Sequence, residues 1–439
     1  MIELSIELIT ILLFGGMLLL LFIGVPIFIA MGGIAAVFIL LFDGHQVLYT
    51  VATSVYAQGT NMTLMTIPMF TLMGNFLVHS GTSERLFSAL GLWLGGVRGG
   101  LAIVSIIICV ALAMCGGFGP GILAMGLIAV PAMVKAGYNK GLATGVVIAG
   151  GALGEIIPPS IAMIVFSYVG RMSVGNLFAG GVLPGVLLAV LYLIYVIVIG
   201  KVRPSMLPST IDKENPPTWS EKIAALKELV LPVLLVVLVL GSILFGFATP
   251  TEAAGIGALG TVAICAVNKR LNLKVIKDSC YDTMKITGMV LWIIAAASLF
   301  TVFYTKAGAS AMLLGFVENL EVNRWIILIV IQIILLICGM FLDDTALIIL
   351  CVPIFLPIAK ALGFDPYWFA ILFLVNVQCA FLSPPFGYGL IMMKSVAPPE
   401  IRTRDIWWGV PPFLIIQLFV IIMVMVFPQL ALWLPTVLI

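Results

Sequence analysis

Two long apolar segments of the chain are each interrupted near their middle by a proline pair. Residues 141–171 contain Gly154-Glu155-Ile156-Ile157-Pro158-Pro159-Ser160, and residues 367–395 contain Phe381-Leu382-Ser383-Pro384-Pro385-Phe386-Gly387. A proline pair removes two backbone donors and clashes with the preceding helical turn. Carbonyls freed at membrane depth are tolerated only where the backbone lines protein or a water-filled site. We therefore predict two broken helices that line a site; for either segment alone, a Pro-kinked packing helix is the alternative.

Two pairs of short apolar segments accompany the broken helices. Residues 100–115 and 117–134 flank a glycine-rich turn, and residues 324–340 and 345–360 flank a turn that contains Asp343 and Asp344. Each segment is short of the ~20 residues that span a bilayer comfortably. The pattern predicts two re-entrant helical hairpins, each of which enters and leaves on one side. The alternative is an ordinary pair of spans joined by a tight turn.

The two halves of the chain correspond at a nearly constant offset. Pro131, Gly137 and the first proline pair recur 226 residues later, at Pro357, Gly363 and Pro384-Pro385. Because glycine and proline are abundant here, a single match is weak evidence, whereas a shared offset indicates an internal duplication.

Composition places the chain in a membrane. Of its 439 residues, 62% are apolar and 9% are charged, and the mean hydropathy is +1.26, whereas a soluble domain carries about 25% charged residues. These values exclude a soluble enzyme, a disordered scaffold and a nucleic-acid binder. Continuous apolar runs favour helices over the alternating strands of a membrane barrel. The sequence also lacks a GxxxxGK[ST] phosphate loop and an HExxH motif, so neither ATP-driven pumping nor hydrolysis is predicted.

Eight full spans are predicted outside the hairpins and broken helices, near residues 5–23, 25–42, 61–80, 176–200, 230–247, 251–267, 286–304 and 409–427. When the basic 201–229 loop is placed in the cytoplasm, all but four of the 21 Lys and Arg residues fall on that side. This assignment puts both termini outside and inverts one half relative to the other. Residues 204–220 are predicted to be a linker, residues 220–229 an interfacial helix anchored by Trp219, and residues 268–285 a cytoplasmic loop.

The interrupted segments supply the chemistry for a transport site. Helix N-termini offer free N–H groups to anions, and freed carbonyls and hydroxyls suit a small hard cation. Asp343 and Asp344 are the most informative acidic residues, because an ionisable residue at membrane depth is costly and by default functional. The alternative is that these acids only solvate a hydrated hairpin tip. Glu155 is a similar but weaker candidate. The seven cysteines form no CxxC pair and are predicted to be packing residues.

Several stretches resemble the large membrane subunit (M, permease) of tripartite ATP-independent periplasmic (TRAP) transporters, and together they cover nearly the whole chain. They are Pro131 to Tyr138, Gly154 to Ile161, Leu177 to Gly185, Gly339 to Asp344, Ser383 to Gly387 and Leu432 to Pro435. The resemblance implies an all-α polytopic membrane protein with an inverted-topology repeat, two re-entrant helical hairpins, two broken helices and an elevator-type mechanism. It also implies a sodium-driven importer of small organic acids in the bacterial inner membrane.

The resemblance further implies two protein partners, a small four-helix TRAP membrane subunit (Q type) and a periplasmic substrate-binding protein (P type), in addition to membrane lipid. No nucleic acid and no cofactor are expected, and sodium serves as the coupling ion. A stand-alone ion-coupled carboxylate carrier of related fold is the main alternative, and a channel is a third. The identity of the organic acid cannot be read from this chain, because the binding protein makes the first selection.

Candidate site residues follow from the motifs that match the family. The substrate candidates are Gly117, Gly119, Pro158, Pro159, Ser160, Ser383, Pro384 and Pro385. The sodium candidates are Gly116, Phe118, Glu155, Gly339, Asp343, Asp344 and Thr345. Where many relatives have serines at the first tip this chain has Gly117 and Phe118, so backbone carbonyls would have to serve as ligands there.

The predicted organisation alternates scaffold and transport segments. The scaffold comprises residues 1–99, residues 172–229 with the cytoplasmic linker, residues 230–323 and residues 396–439. The transport unit comprises residues 100–171 and 324–395, each a hairpin followed by a broken helix.

Overall fold

The computed structural model describes residues 5–44, 46–116, 118–208, 217–308, 312, 315, 322–384 and 387–438. Within these ranges all regular structure is helical and no strand occurs. Six helical segments of this part of the chain are long and apolar enough to cross a membrane. The predicted all-helical membrane class is therefore confirmed.

The first half contains the helices that lead to and follow the first proline pair. They are α1 (Ile6–Phe22), α2 (Ile27–Asp43), α3 (Gln46–Gly59), α4 (Thr66–His79), α5 (Thr82–Leu94), α6 (Gly100–Gly116), α7 (Phe118–Lys135), α8 (Lys140–Ala152), α9 (Ile161–Gly170) and α10 (Val174–Val202). Short 3-10 turns follow α8 at Leu153–Glu155 and α10 at Pro204–Met206.

The second half repeats the order of hairpin, broken helix and closing helix. Its helices are α11 (Trp219–Leu244), α12 (Pro250–Val267), α13 (Leu273–Lys306), α14 (Arg324–Gly339), α15 (Asp344–Ala361), α16 (Pro366–Leu382), α17 (Tyr388–Val396), α18 (Thr403–Gly409), α19 (Pro411–Val426) and α20 (Gln429–Leu438).

The offset seen in the sequence also relates helix boundaries and caps. Helices α7 and α15 both begin and end 226 residues apart. Asn139 caps α8 by accepting a hydrogen bond from Leu142 N, and Asp365, 226 residues later, caps α16 by accepting from Tyr367 N and Trp368 N. Such side-chain caps satisfy the free N–H groups of a first helical turn. Matching caps make both broken helices start at equivalent positions.

Contacts at helix ends define the relative directions of the central helices. Helices α4 and α12 run parallel, because Thr66 and Thr251 meet at their starts and Cys265 Sγ contacts Phe76 O near their ends. The C-terminal end of α4 meets the N-terminal part of α13, where His79 Nε2 lies 2.9 Å from Asp282 Oδ2. Helices α4 and α13, which occupy equivalent places in the two halves, therefore run in opposite directions.

Two predictions about the path between spans are wrong. No separate interfacial helix covers residues 220–229, because α11 runs without interruption from Trp219 to Leu244. Thr218 and Glu221 form a capping box that starts this helix, and no breaker follows before the apolar run. Most of the predicted 268–285 loop is also helical, since α13 begins at Leu273. Clustered lysines marked an exposed surface there, not the end of a helix.

Four helices escaped the hydropathy reading of the sequence. Helices α3, α5 and α18 carry polar or charged residues in short segments, and α20 contains Pro435. A search for long apolar runs passes over helices of this kind, because their apolar face is narrow. They pack beside the predicted spans and do not alter their order.

Backbone packs against backbone where α8 crosses α18. A Cβ atom on Gly409 would lie 1.9 Å from Gly141 O, and one on Gly145 would lie 2.2 Å from Gly409 O. No real Cβ atom tolerates such distances, so only glycine allows this approach. The first broken helix is thereby fixed against the helix that follows the second.

We expect Gly409→Ala to destabilise the protein by about 3 kcal/mol, because an inserted methyl must separate two backbones. The measurement is the thermal unfolding of detergent-solubilised protein followed by tryptophan fluorescence. Gly288→Ala in α13 is the matched control, since its Cβ would meet nothing within 4 Å. Equal melting temperatures for the two variants would contradict the close approach.

Candidate substrate and ion site

The first proline pair lies in a real break between two helical segments. Helix α8 ends at Ala152, a 3-10 turn follows, and α9 begins at Ile161. Ser160 Oγ donates a hydrogen bond to Glu155 O at 2.8 Å and accepts one from Met163 N at 3.3 Å. One hydroxyl thus satisfies a carbonyl of the break and caps the next helix. Pro158 and Pro159 are buried beside it, and the predicted broken helix is confirmed.

The second break is closed differently. Helix α16 ends at Leu382 and α17 begins at Tyr388. Ser383 Oγ donates back to Cys379 O at 2.9 Å, and Ser383 O accepts from Gly387 N at 3.0 Å. The break predicted at the second proline pair is confirmed at Ser383, Pro384 and Gly387, whereas Pro385 lies outside the described residues.

The tip of the second hairpin reaches both breaks. On one side Gly339 lies against α16, where an added Cβ would come 2.5 Å from Ala380 Cβ. On the other side the carboxyl of Asp344 lies beside that of Glu155, close enough for a hydrogen bond when one of them carries a proton. Tyr388, the first residue of α17, is close enough to Asp343 and Asp344 for electrostatic interaction.

The tip of the first hairpin also touches both broken helices. A Cβ atom on Gly119 would lie 3.4 Å from Met392 Cε in α17, and one on Gly151 in α8 would lie 3.2 Å from Ile122 N. Gly116 ends α6 and Phe118 begins α7, so both sodium candidates lie at the turn. Gly117 between them lies outside the described residues. The predicted candidates of the two halves therefore gather at one junction.

The packing of the two halves at this junction is reciprocal. Helix α7 of the first hairpin packs against α17 of the second broken helix, and α15 of the second hairpin packs against α9 of the first. Each hairpin thus rests on the broken helix of the opposite half. Helices α7, α9, α15 and α17 all begin here, so their N-termini present partial positive charge to the same region.

Three carboxyl groups meet at the junction with few partners. Glu155 is 2% exposed, and its Oε2 has no hydrogen-bond partner among the described residues. Asp343 Oδ2 is likewise buried without a partner in that part of the chain, while Thr345 Oγ1 donates to Asp344 Oδ1 at 3.3 Å. Buried carboxylates without compensation are costly. The junction therefore calls for bound protons or cations.

Oxygen atoms other than carboxylates would have to complete a cation site. Across the described residues, no group of three His, Cys, Asp or Glu side chains is arranged to hold a metal ion. Two carboxylates, the Thr345 hydroxyl and carbonyls freed at the helix breaks offer the hard oxygen ligands that a small cation prefers. This donor set fits sodium better than zinc or another thiolate- and imidazole-binding metal.

The sequence missed several residues that complete the junction. Tyr388, Met392, Gly151 and Ile122 contact the tips, yet none was predicted. Tyr388 directly follows the glycine of the second break, so its position was a usable signal. The other three lie within regular helices, where the sequence does not distinguish them from core residues.

Comparison with solved structures defines the class of protein. The chain superimposes on the YdaH transporter of Alcanivorax borkumensis with a TM-score of 0.67 and 13% identity, covering 90% of this chain and 91% of that one. At this identity the likeness concerns the fold alone. The fold is therefore that of a polytopic membrane transporter.

Sequence comparison then gives the family. Residues 14–430 match the family described as "Tripartite ATP-independent periplasmic transporter, DctM component". The C4-dicarboxylate TRAP transporter large permease proteins DctM of Pseudomonas aeruginosa and Vibrio cholerae are 34% and 32% identical, covering 92% and 95% of this chain and 93% and 95% of their own lengths. The chain belongs to the large permease subunits of TRAP transporters, and it is a transport protein, not an enzyme.

Proposed function

We propose that this chain is the permease subunit of a sodium-coupled TRAP importer that moves a small organic acid across the bacterial inner membrane. The meeting of Glu155, Asp343 and Asp344 where two hairpin tips touch two helix breaks is the observation that carries the proposal. Cations bound at these carboxylates offset their burial, and four helix N-termini attract an anionic substrate. Ion binding and substrate binding then favour the same occupied state.

The proposed ligands follow the predicted division of the site. Sodium is bound around Glu155, Asp343, Asp344 and Thr345, together with backbone oxygens of Gly116, Phe118 and Gly339. The substrate carboxylate lies between the tips, near Gly117, Gly119, the two proline pairs, Ser160 and Ser383. The relatives named for C4-dicarboxylates support a carboxylate as the substrate class.

We further propose an inverted-topology repeat with re-entrant hairpins. The constant offset of helix boundaries, the opposite directions of α4 and α13 and the reciprocal contacts of α7 and α15 support the inversion. Length alone does not separate a hairpin arm from a full span, because α15 is long enough to cross a bilayer. The proposed orientation keeps both termini on the periplasmic side.

An elevator motion is the proposed mechanism, with residues 100–171 and 324–395 as the core of the mobile unit. Packing favours adding α10, α18 and α20 to this unit. A Cβ atom on Gly181 of α10 would lie 2.5 Å from Ile156 O in the first break, and one on Gly180 would lie 2.9 Å from Ala431 O in α20. Backbones in such close contact with the broken helices cannot slide past them. Helices α1–α5 and α11–α13 then form the stationary scaffold that docks the small subunit.

We expect uptake to require both protein partners. In vesicles reconstituted with this chain alone, sodium-driven uptake of a C4-dicarboxylate or sialic acid is expected at background. Adding the small membrane subunit and the periplasmic binding protein, encoded beside this gene, should restore it, because capture of the substrate depends on them. Robust sodium-driven uptake by this chain alone would instead favour the stand-alone carrier.

A further inference from the structure

An apolar groove runs along the outer surface, away from the carboxylate junction. Five residues of α14 between Trp325 and Leu336 form one wall, and five residues of α19 between Leu418 and Val426 form the other. Asn376 of α16 lies at its floor, and the groove encloses about 680 Å³. Ile333 and Ile422 on the two walls are 51% and 57% exposed. The described part of the chain leaves this apolar surface open.

The floor of the groove is firmly built. Asn376 Nδ2 donates to both the backbone oxygen and Oε1 of Gln332, each at 2.7 Å, and so ties α16 to α14. Trp368 Nε1 donates to Val424 O at 2.7 Å and ties α16 to α19. Because both walls are fixed to one helix, the groove is a preformed feature of the fold and does not depend on a ligand for its shape.

One end of the groove carries the marks of a membrane–water interface. Trp325, Phe364 and Trp368 form an aromatic cluster there, with ring centroids 5.2 to 6.2 Å apart. Tryptophan is enriched at the level of lipid headgroups. From Trp325 to Leu336 the groove is about 16 Å long at the helical rise of 1.5 Å per residue. This length matches one leaflet of a hydrocarbon core that is about 30 Å thick.

An exposed cation stands at the same end. The guanidinium carbon of Arg324 lies 5.2 Å from the Phe364 ring centroid and 5.9 Å from that of Trp325. None of the ion pairs found among the described residues includes Arg324. The neighbouring Asp365 is engaged in capping α16 through its Oδ1. Two aromatic rings therefore hold Arg324 in place while its donors remain available for an anion.

From these features we infer that the groove binds one anionic phospholipid, with the headgroup phosphate on Arg324 and an acyl chain along α14 and α19. Arginine recognises phosphate oxygens through its planar set of donors. A helix from another protein fits less well, because a helix 16 Å long and about 10 Å across fills roughly 1,300 Å³. The inference rests on the membrane fold and not on the proposed coupling ion or substrate.

Photolabelling tests this site directly. The whole chain, in nanodiscs of phosphatidylcholine, is labelled with a phosphatidylglycerol that carries a diazirine in its acyl chain, and the labelled peptides are identified by mass spectrometry. We expect the label on residues 325–336 and 418–426, with competition by phosphatidylglycerol at least about tenfold stronger than by phosphatidylcholine. Competition by soluble glycerophosphoglycerol at equal concentration would overturn the role of the acyl chain.

Variants separate the headgroup contact from the groove. Arg324→Gln should weaken competition by phosphatidylglycerol about tenfold, and Ile329→Trp together with Ile333→Trp should abolish labelling by filling the groove. Arg270→Gln and Ile326→Trp are the controls, because Arg270 is exposed at the end of α12 and Ile326 is exposed outside the groove. Melting temperatures establish that every variant is folded. Even labelling of all lipid-facing helices, unchanged labelling in the test variants, or protection by the small subunit in place of lipid would each overturn the proposal.

Discussion

Asp344→Asn should raise the sodium concentration for half-maximal uptake by about 10- to 100-fold, because a charge-assisted contact contributes about 1.5–3 kcal/mol. Glu155→Gln should act in the same direction, since the two carboxyl groups lie side by side in a buried junction. Asp343→Asn, at the start of α15, should have a similar but smaller effect. The measurement is the initial rate of substrate uptake into vesicles of the complete transporter, taken across a series of sodium concentrations.

The double variant Glu155→Gln/Asp344→Asn makes this test sharper. Groups that share bound cations are not independent, so its effect should differ clearly from the sum of the single effects. Glu400→Gln is the control, because Glu400 is an exposed carboxylate between α17 and α18. If all three acidic variants keep the sodium dependence of the unmodified protein, the acids only solvate the tip and the proposed ion site is wrong.

A covalent link between α9 and α13 should abolish transport if the broken helices move as a unit against the scaffold. Tyr168 on α9 interacts with Ser298 on α13 through their side chains, so cysteines at these two positions come within reach of each other. After replacement of the exposed Cys280, the pair is linked with a short thiol-reactive crosslinker that a reductant can cleave. Uptake should fall to background when the link forms and return when it is cleaved.

The matched control for this link lies wholly within the proposed scaffold. Thr66 on α4 and Thr251 on α12 are 3.0 Å apart at their hydroxyl oxygens, and cysteines there should form a link that leaves uptake intact. A second readout uses single cysteines near Ser160 and Ser383, labelled from each side of the membrane with and without sodium. Transport that survives the link between α9 and α13, together with labelling that sodium does not change, would exclude an elevator motion.

The local features of this protein could be predicted from its sequence because they depend on local chemistry. Proline cannot donate a backbone hydrogen bond, so the break at Pro158-Pro159 was visible without a structure. Glycine tolerates positive φ, and Gly137 and Gly363 adopt φ of 83° and 77° at the two equivalent helix ends. The sequence also identified Glu155, Asp343 and Asp344 as unusual, since carboxylates are rare in apolar segments.

By itself the sequence thus determined the membrane class, the breaks, the hairpin turns and the register between the halves. Only the tertiary structure brought Glu155 to Asp344, set Tyr388 beside the acids and packed Gly409 against α8. It also turned the predicted interfacial segment into the first turns of α11. The physical reason is that propensity and hydropathy act over a few residues, whereas these contacts depend on which helix surfaces fit together. Small residues and polar groups at those surfaces have meaning only beside their partners from the other half.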